Sequence, residues 1–176
     1  LAAQLGDGAT FTTVFDQAPF IEQSIHDLTV EGLLGLGFAV IVILIFLLSV
    51  RSTLVTAISI PLSLLVTFIG LRMGGYSLNM LTLGALTISI GRVVDDSIVV
   101  IENIKRHLAY GEDKKTAITT AVREVATAVT AATLTTVAVF LPVALVGGMA
   151  GELFRPFALT VTIALLASLL VSLTIV

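Results

Sequence analysis

Two adjacent carboxylates with an arginine close before them sit in an otherwise apolar run: Gly91-Arg92-Val93-Val94-Asp95-Asp96-Ser97-Ile98-Val99-Val100-Ile101-Glu102-Asn103. Uncharged residues precede them from Met73 to Gly91, and Ile98 to Ile101 follow without a break. A charge near the middle of a bilayer costs about 2.5–3.5 kcal/mol on insertion scales and more in simulation. On a helix, Arg92 lies three residues before Asp95 and four before Asp96, so both carboxylates are within reach of its guanidinium. Asp95 and Asp96 themselves project about 100° apart.

Burial and a second carboxylate alongside favour a protonated acid, whereas Arg92 favours the charged form. The pair is expected to titrate as one coupled unit. That is what a proton carrier requires, a site charged in one conformation and neutral in another. A static ion-pair cluster that fixes helix packing fits the spacing equally well, and the residues alone leave the two readings open. Metal binding is disfavoured, because two carboxylates with no nearby His or further acid make a poor cage.

These groups must be held by membrane helices. The chain is 57% hydrophobic and only 12% charged, with a mean hydropathy of +1.11, outside the range of soluble domains. No basic patch points to nucleic acid, and the absence of cysteine excludes disulfides and thiolate chemistry. His26 and His107 are far apart and read as ordinary structural histidines. No cofactor and no enzymatic chemistry are expected.

Five apolar segments of membrane-crossing length are expected, at residues 32–50, 52–71, 78–103, 125–146 and 156–176. Each has the roughly 20 residues that a 30 Å hydrocarbon core demands, and helices satisfy all backbone groups within the span. The fold class is therefore an all-α membrane protein, residues 29–176, preceded by a short extramembrane α/β tail at residues 1–28. In that tail Phe11-Thr12-Thr13-Val14-Phe15 reads as a strand, and Pro19 stands near the first turn of a helix. Leu1 opens without Met and Val176 ends inside an apolar run, so an internal piece of a longer protein is expected.

Loop charges orient the spans. With the first span ending inside, the inner loops hold Arg51, Lys105, Arg106, Lys114, Lys115 and Arg123, and the outer loops only Arg72 and Arg155. Residues 114–124 read either as a separate amphipathic helix on the cytoplasmic surface or as an extension of the next span. Small residues (Gly84, Ala85, Ser89, Gly91) predict that the stripe holding Ile88, Arg92, the carboxylates and Glu102 packs against protein. Thr127, Thr130, Thr133, Thr135 and Thr136 either line a hydrated path or, as such residues more often do, bond back to their own helix.

The run from Gly91 to Asn103 resembles the fourth transmembrane helix of resistance-nodulation-division exporters, closest to the hydrophobe/amphiphile multidrug-efflux branch. Ala18-Pro19-Phe20 with Ser24-Ile25-His26 resembles the exit from that family's porter domain. Ile60-Pro61-Leu62-Ser63 and Ser77-Leu78-Asn79-Met80-Leu81-Thr82-Leu83 resemble its third helix and the start of its fourth. Phe140-Leu141-Pro142-Val143-Ala144 and Gly147-Gly148-Met149-Ala150-Gly151-Glu152-Leu153-Phe154 resemble its fifth helix and the loop beyond.

The resemblance implies transmembrane helices two to six of a twelve-helix transporter of the bacterial cytoplasmic membrane, with residues 1–28 as the end of a porter domain. It implies proton-driven substrate antiport, with Asp95 and Asp96 as the proton relay. It implies as partners the membrane lipids, the remaining half of the molecule and two further copies in a homotrimer. In a Gram-negative cell a periplasmic adaptor and an outer-membrane channel join them. Arg92 stands where well-known Gram-negative drug pumps usually carry an apolar residue, and it resembles Gram-positive forms; it is expected to tune the pair. A protein-export accessory with a similar relay and a structural membrane anchor are the alternatives. The double Asp followed by Ile98-Val99-Val100 favours efflux.

Overall fold

The computed structural model describes Asp16 and residues 18–176. Five helices follow one another: α1 (Ala18–Leu47), α2 (Val50–Met73), α3 (Met80–Ala109), α4 (Lys114–Ala144) and α5 (Gly148–Thr174). No strand occurs among the described residues, and the strand expected at residues 11–15 lies outside them.

Local chemistry sets the helix starts. Asp16 Oδ1 accepts from the Ala18 amide at 2.9 Å, just before α1. Asn79 caps α3 by accepting from the amides of Leu81 (2.9 Å) and Thr82 (3.0 Å), while Thr82 Oγ1 accepts from the Asn79 amide at 2.8 Å. This reciprocal box satisfies amides that the first helical turn leaves without partners. Asp113 caps α4 through the Lys115 amide at 3.2 Å. Arg155 Nε donates to the Ala144 carbonyl at 3.0 Å, closing the turn between α4 and α5.

Helices α2, α4 and α5 are each long and apolar enough to cross a membrane. In α1 the apolar stretch is shorter, Leu33–Ile45, and it continues without a break from the helix begun at Ala18. The charges of α3, from Arg92 to Arg106, keep it out of that apolar class despite its 30 residues. Residues 114–124 are the first turns of α4, continuous with the apolar remainder of that helix. The separate surface helix therefore gives way to the extension reading. Nothing there breaks the helix: the segment holds neither Gly nor Pro, and Ala117 and Ala121 are fully buried against the bundle.

The bundle exposes much of its apolar surface and buries hydroxyls among its apolar core residues. Leu33, Phe38, Ile45, Ile58 and Val139 are more than half exposed, while Thr53, Thr56, Ser59 and Thr67 of α2 are buried. Those hydroxyls return to their own helix; Thr67, for example, donates to the Ser63 carbonyl at 2.7 Å. Small residues bring helices together without a hydrophobic driving force between them. Gly70 marks a close approach between α2 and α5, since a Cβ there would stand 2.7 Å from Ile163 Cγ2.

Helix α3 packs against all four others, and α5 against α2, α3 and α4. Each of three buried clusters includes α3 residues. Val94 and Ile101 join Ile43 and Ile60; Ala85 joins Val137, Val161 and Leu165; Val100 and Ile104 join Ala121. The helix that carries the carboxylates is thus the one around which the described bundle is built.

Candidate functional site

The three charged residues of α3 separate into two environments. Arg92 Nη1 lies 3.8 Å from Asp95 Oδ2, with the two side chains 51% and 58% exposed. Arg92 Nη2 also donates to Thr136 Oγ1 of α4 at 3.3 Å. Asp96 turns the other way, into the junction of α3, α4 and α5. Its Oδ2 accepts from Ser168 Oγ of α5 at 3.1 Å and, at the long limit of 3.5 Å, from Thr133 Oγ1 of α4. Of the two carboxylates Arg92 is ion-paired with Asp95 alone. Asp96, at i+4, stands no farther round the helix from it, but its carboxylate is turned to the hydroxyls of Ser168 and Thr133.

Ser168 is fully buried, and its Oγ faces two acceptors, Asp96 Oδ2 at 3.1 Å and the Val93 carbonyl at 2.9 Å. A hydroxyl has one hydrogen to donate and two lone pairs to accept with. A charged Asp96 takes that hydrogen. A protonated Asp96 can instead donate its own O–H to Ser168 Oγ, leaving the serine hydrogen to Val93. Gain or loss of one proton on Asp96 therefore reverses the polarity of the bond joining α3 to α5.

Of the threonines on α4, Thr133 and Thr136 reach the charged groups. Thr135 and Thr136 donate to the carbonyls of Ala131 (2.7 Å) and Ala132 (3.1 Å), the back-bonding expected of most of them. Thr127 and Thr130 line a shallow surface depression with Leu134.

The expected protein-facing stripe is only partly met. Ala85 and Ser89 are buried, but Ile88, Gly91, Arg92, Asp95 and Glu102 are exposed, and a Cβ added at Gly84 or Gly91 would meet nothing within 4 Å. The buried face of α3 is centred on Leu86, Val93, Ser97 and Val100, and Asp96 lies at its edge.

Sequence reasoning missed Ser168, a small residue in an apolar run with no local sign of its partner. It also passed over a second polar centre at the far end of α3, where Asn103, Arg106 and His107 converge on Glu124 of α4. The shared signal was the capacity of a buried hydroxyl or imidazole to bond across helices, which spacing within one helix does not reveal.

Known proteins resemble this chain closely. Swarming motility protein SwrC of Bacillus subtilis (strain 168) is 46% identical over 172 residues, covering 96% of the chain and 16% of the relative. Multidrug resistance protein MdtC of Cronobacter sakazakii is 45% identical over 160 residues, 91% of the chain and 16% of that protein. MdtC of Yersinia pestis is 44% identical over the same shares. The chain spans about one-sixth of the length of these relatives. The model of the AcrB/AcrD/AcrF family matches residues 1–176, from one end of the chain to the other, and the chain belongs to that family.

Proposed function

We propose that this chain is the proton-handling part of a proton-driven efflux transporter, with Asp95 and Asp96 as the relay. The observation that carries it is Asp96. A carboxylate is held at the meeting point of three helices by hydroxyls that serve its charged and its neutral form alike. A static ion-pair cluster would set the carboxylate against a fixed cation. Here the cation nearby, Arg92, is engaged with Asp95 and Thr136 instead.

Proton binding to Asp96 changes the donor direction toward Ser168, and so the preferred placement of α3 against α5. Two arrangements of packed helices separated by a proton are the kind of bistable element that carries a conformational signal. Arg92 tunes Asp95 from the open side of α3. The proton-motive force supplies the energy, and no cofactor takes part.

In this proposal all five helices cross the membrane, α1 and α3 included. At 1.5 Å per residue α3 is about 45 Å long, enough to span the hydrocarbon and reach water at its end. The loop with Lys105, Arg106, Lys114 and Lys115 faces the cytoplasm of a bacterial inner-membrane protein. Residues 1–28 are the end of a porter domain. The exposed stripe of α3 suits packing against the remainder of a longer transporter, which works as a homotrimer, in a Gram-negative cell with an adaptor and an outer-membrane channel. The name of MdtC supports export of drugs.

The test is transport by the full-length protein in proteoliposomes with an imposed pH gradient. Asp96→Asn and Asp95→Asn are expected to abolish gradient-driven substrate movement while inserting normally. Substrate extrusion at the unmodified rate would return the pair to a packing role.

A further inference from the structure

Three turns beyond the relay, about 16 Å along α3 at 1.5 Å per residue, His107 is buried between two glutamates. Its Nδ1 lies 2.9 Å from Glu112 Oε1, in the turn after α3, and its Nε2 lies 2.9 Å from Glu124 Oε2, on α4. A neutral imidazole has one N–H, so it would set a lone pair against one of these carboxylates; an imidazolium donates to both. Glu124 also accepts from Asn103 Nδ2 at 3.0 Å and from Arg106 Nη2 at 3.0 Å, and Asn103 Nδ2 reaches the Ala121 carbonyl at 2.8 Å. Three side chains from the last turns of α3 thus grip the start of α4.

The grip differs in strength between its two arms. Glu124 keeps two other donors if His107 loses a proton. The other arm is weaker, because Glu112 Oε1 has His107 and its Oε2 is buried without a partner. The hydrogen bonds of Glu124, then of Glu112, hold the His107 value above the ordinary 6.5. The bonds from His107, then Asn103, pull Glu124 down from 4.5 to about 2. The other groups at the imidazole are Arg106, paired to Glu124 at 3.0 Å, and the Tyr110 ring at 6.1 Å. Helix α5 reaches this end through the apolar side chain of Leu173, with that of Val176 just beyond the helix. Among the described residues, neither α1 nor α2 supplies charge or hydrogen bonding to it. Beside the cluster an open cavity of about 350 Å³, lined by Glu102, Asn103, Arg106 and Glu124, admits water and so exchangeable protons.

We propose that His107 is a positioning residue for the relay helix, a proton-operated latch that joins α3 and α4 into one unit when charged and lets them part when neutral. The latch is a geometric property of the hairpin; only its consequence for transport, a dependence on the pH at that end of α3, rests on the relay reading above. Its pH window follows from the two groups. The contribution of His107 is full below 6.5 and disappears as pH rises through its raised folded value. That of Glu124 is full above 4.5 and disappears as pH falls toward about 2. The latch is therefore closed between these limits and opens on the alkaline side.

The full-length transporter, carrying no cysteines other than a pair introduced at Ala109 and Thr120 and spin-labelled there, reports the α3–α4 distance by pulsed electron resonance. The expected result is one narrow distance at pH 5–6. A second, broader population should grow as pH rises from 6.5 through the raised His107 value and level off above it, with the open-to-closed ratio rising by up to about tenfold per pH unit within that window. His107→Gln should show the broad population at every pH. A distance unchanged from pH 5 to 9 in the unmodified protein overturns the latch, as does a pH response retained in His107→Gln. Should His107→Gln fail to assemble, the unmodified titration still decides. Transport at a constant pH gradient, with both compartments raised together, should vary with absolute pH in the unmodified protein and lose that component in His107→Gln. Asp96→Asn should stop transport yet leave the distance titration as it was, so failure of the relay and failure of the latch are told apart.

Discussion

Ser168→Ala removes one oxygen from the core and little else. The side chain is exchanged for one of almost the same size, so no cavity of consequence is left. What goes is the hydroxyl that stands 3.1 Å from Asp96 and 2.9 Å from the Val93 carbonyl. A hydrogen bond to a charged group contributes about 1.5–3 kcal/mol, and Thr133, already at 3.5 Å, is too distant to take it over. The protonated acid loses a bond too, a neutral one of about 0.5–1.5 kcal/mol, so only the difference of about 1–1.5 kcal/mol acts. At 1.36 kcal/mol per factor of ten, the balance between the charged and protonated states of the site should move by roughly five- to tenfold. Val93 loses little, because its carbonyl sits in the interior of α3 and keeps its place in the helical ladder. The assay is the initial rate of proton-coupled substrate transport by the full-length protein across pH 5.5–8.5, with membrane insertion checked in parallel. A displaced and lowered pH profile at normal insertion is expected. An unmodified profile would refute Ser168 as the partner through which Asp96 acts on α5.

Gly70→Ala places a Cβ 2.7 Å from Ile163 Cγ2, so α2 and α5 must separate or repack. A loss of about 1–3 kcal/mol is expected, read as a lower Tm of the detergent-solubilised protein, with partial recovery in Gly70→Ala/Ile163→Ala and no recovery from a distant Ile→Ala change. Arg92→Leu breaks an ion pair that is 3.8 Å long and half exposed, so stability should change by no more than about 1 kcal/mol. Transport by the same variant should nonetheless show a changed pH profile. An unchanged profile with unchanged stability would deny Arg92 any part in tuning the pair.

Much of the architecture was legible because bilayer physics leaves few choices. The first helix announced its start through Pro19, and Asp95 and Asp96 stood out because charge is scarce where hydrocarbon surrounds it. The facing of α3 was harder. Small residues mark positions where helices can approach, but Gly84 and Gly91 share that property with Ala85 and Ser89, which lie about 100° further round. Among the described residues the latter pair is the buried one. The partners of Asp96 were hidden for a different reason. Ser168 follows Asp96 by 72 residues, and nothing in Leu165-Leu166-Ala167-Ser168-Leu169 distinguishes a hydroxyl that bonds across helices from one that bonds back to its own. His107 read as a bland histidine because its two carboxylates, Glu112 and Glu124, are brought to it by the hairpin turn at Gly111. That residue takes a φ of +82, which glycine adopts without strain.

The most direct measurement is the protonation of Asp96 itself during turnover. Infrared difference spectra of the full-length transporter in membranes, recorded as substrate is added under a proton gradient, register the carbonyl stretch of a protonated carboxyl group. A proton relay predicts a carboxyl band that appears and decays with transport, disappears in Asp96→Asn and shifts in Ser168→Ala, where its hydrogen-bond partner is gone. A turnover spectrum with no such band, or one that survives unchanged in Asp96→Asn, would contradict the relay.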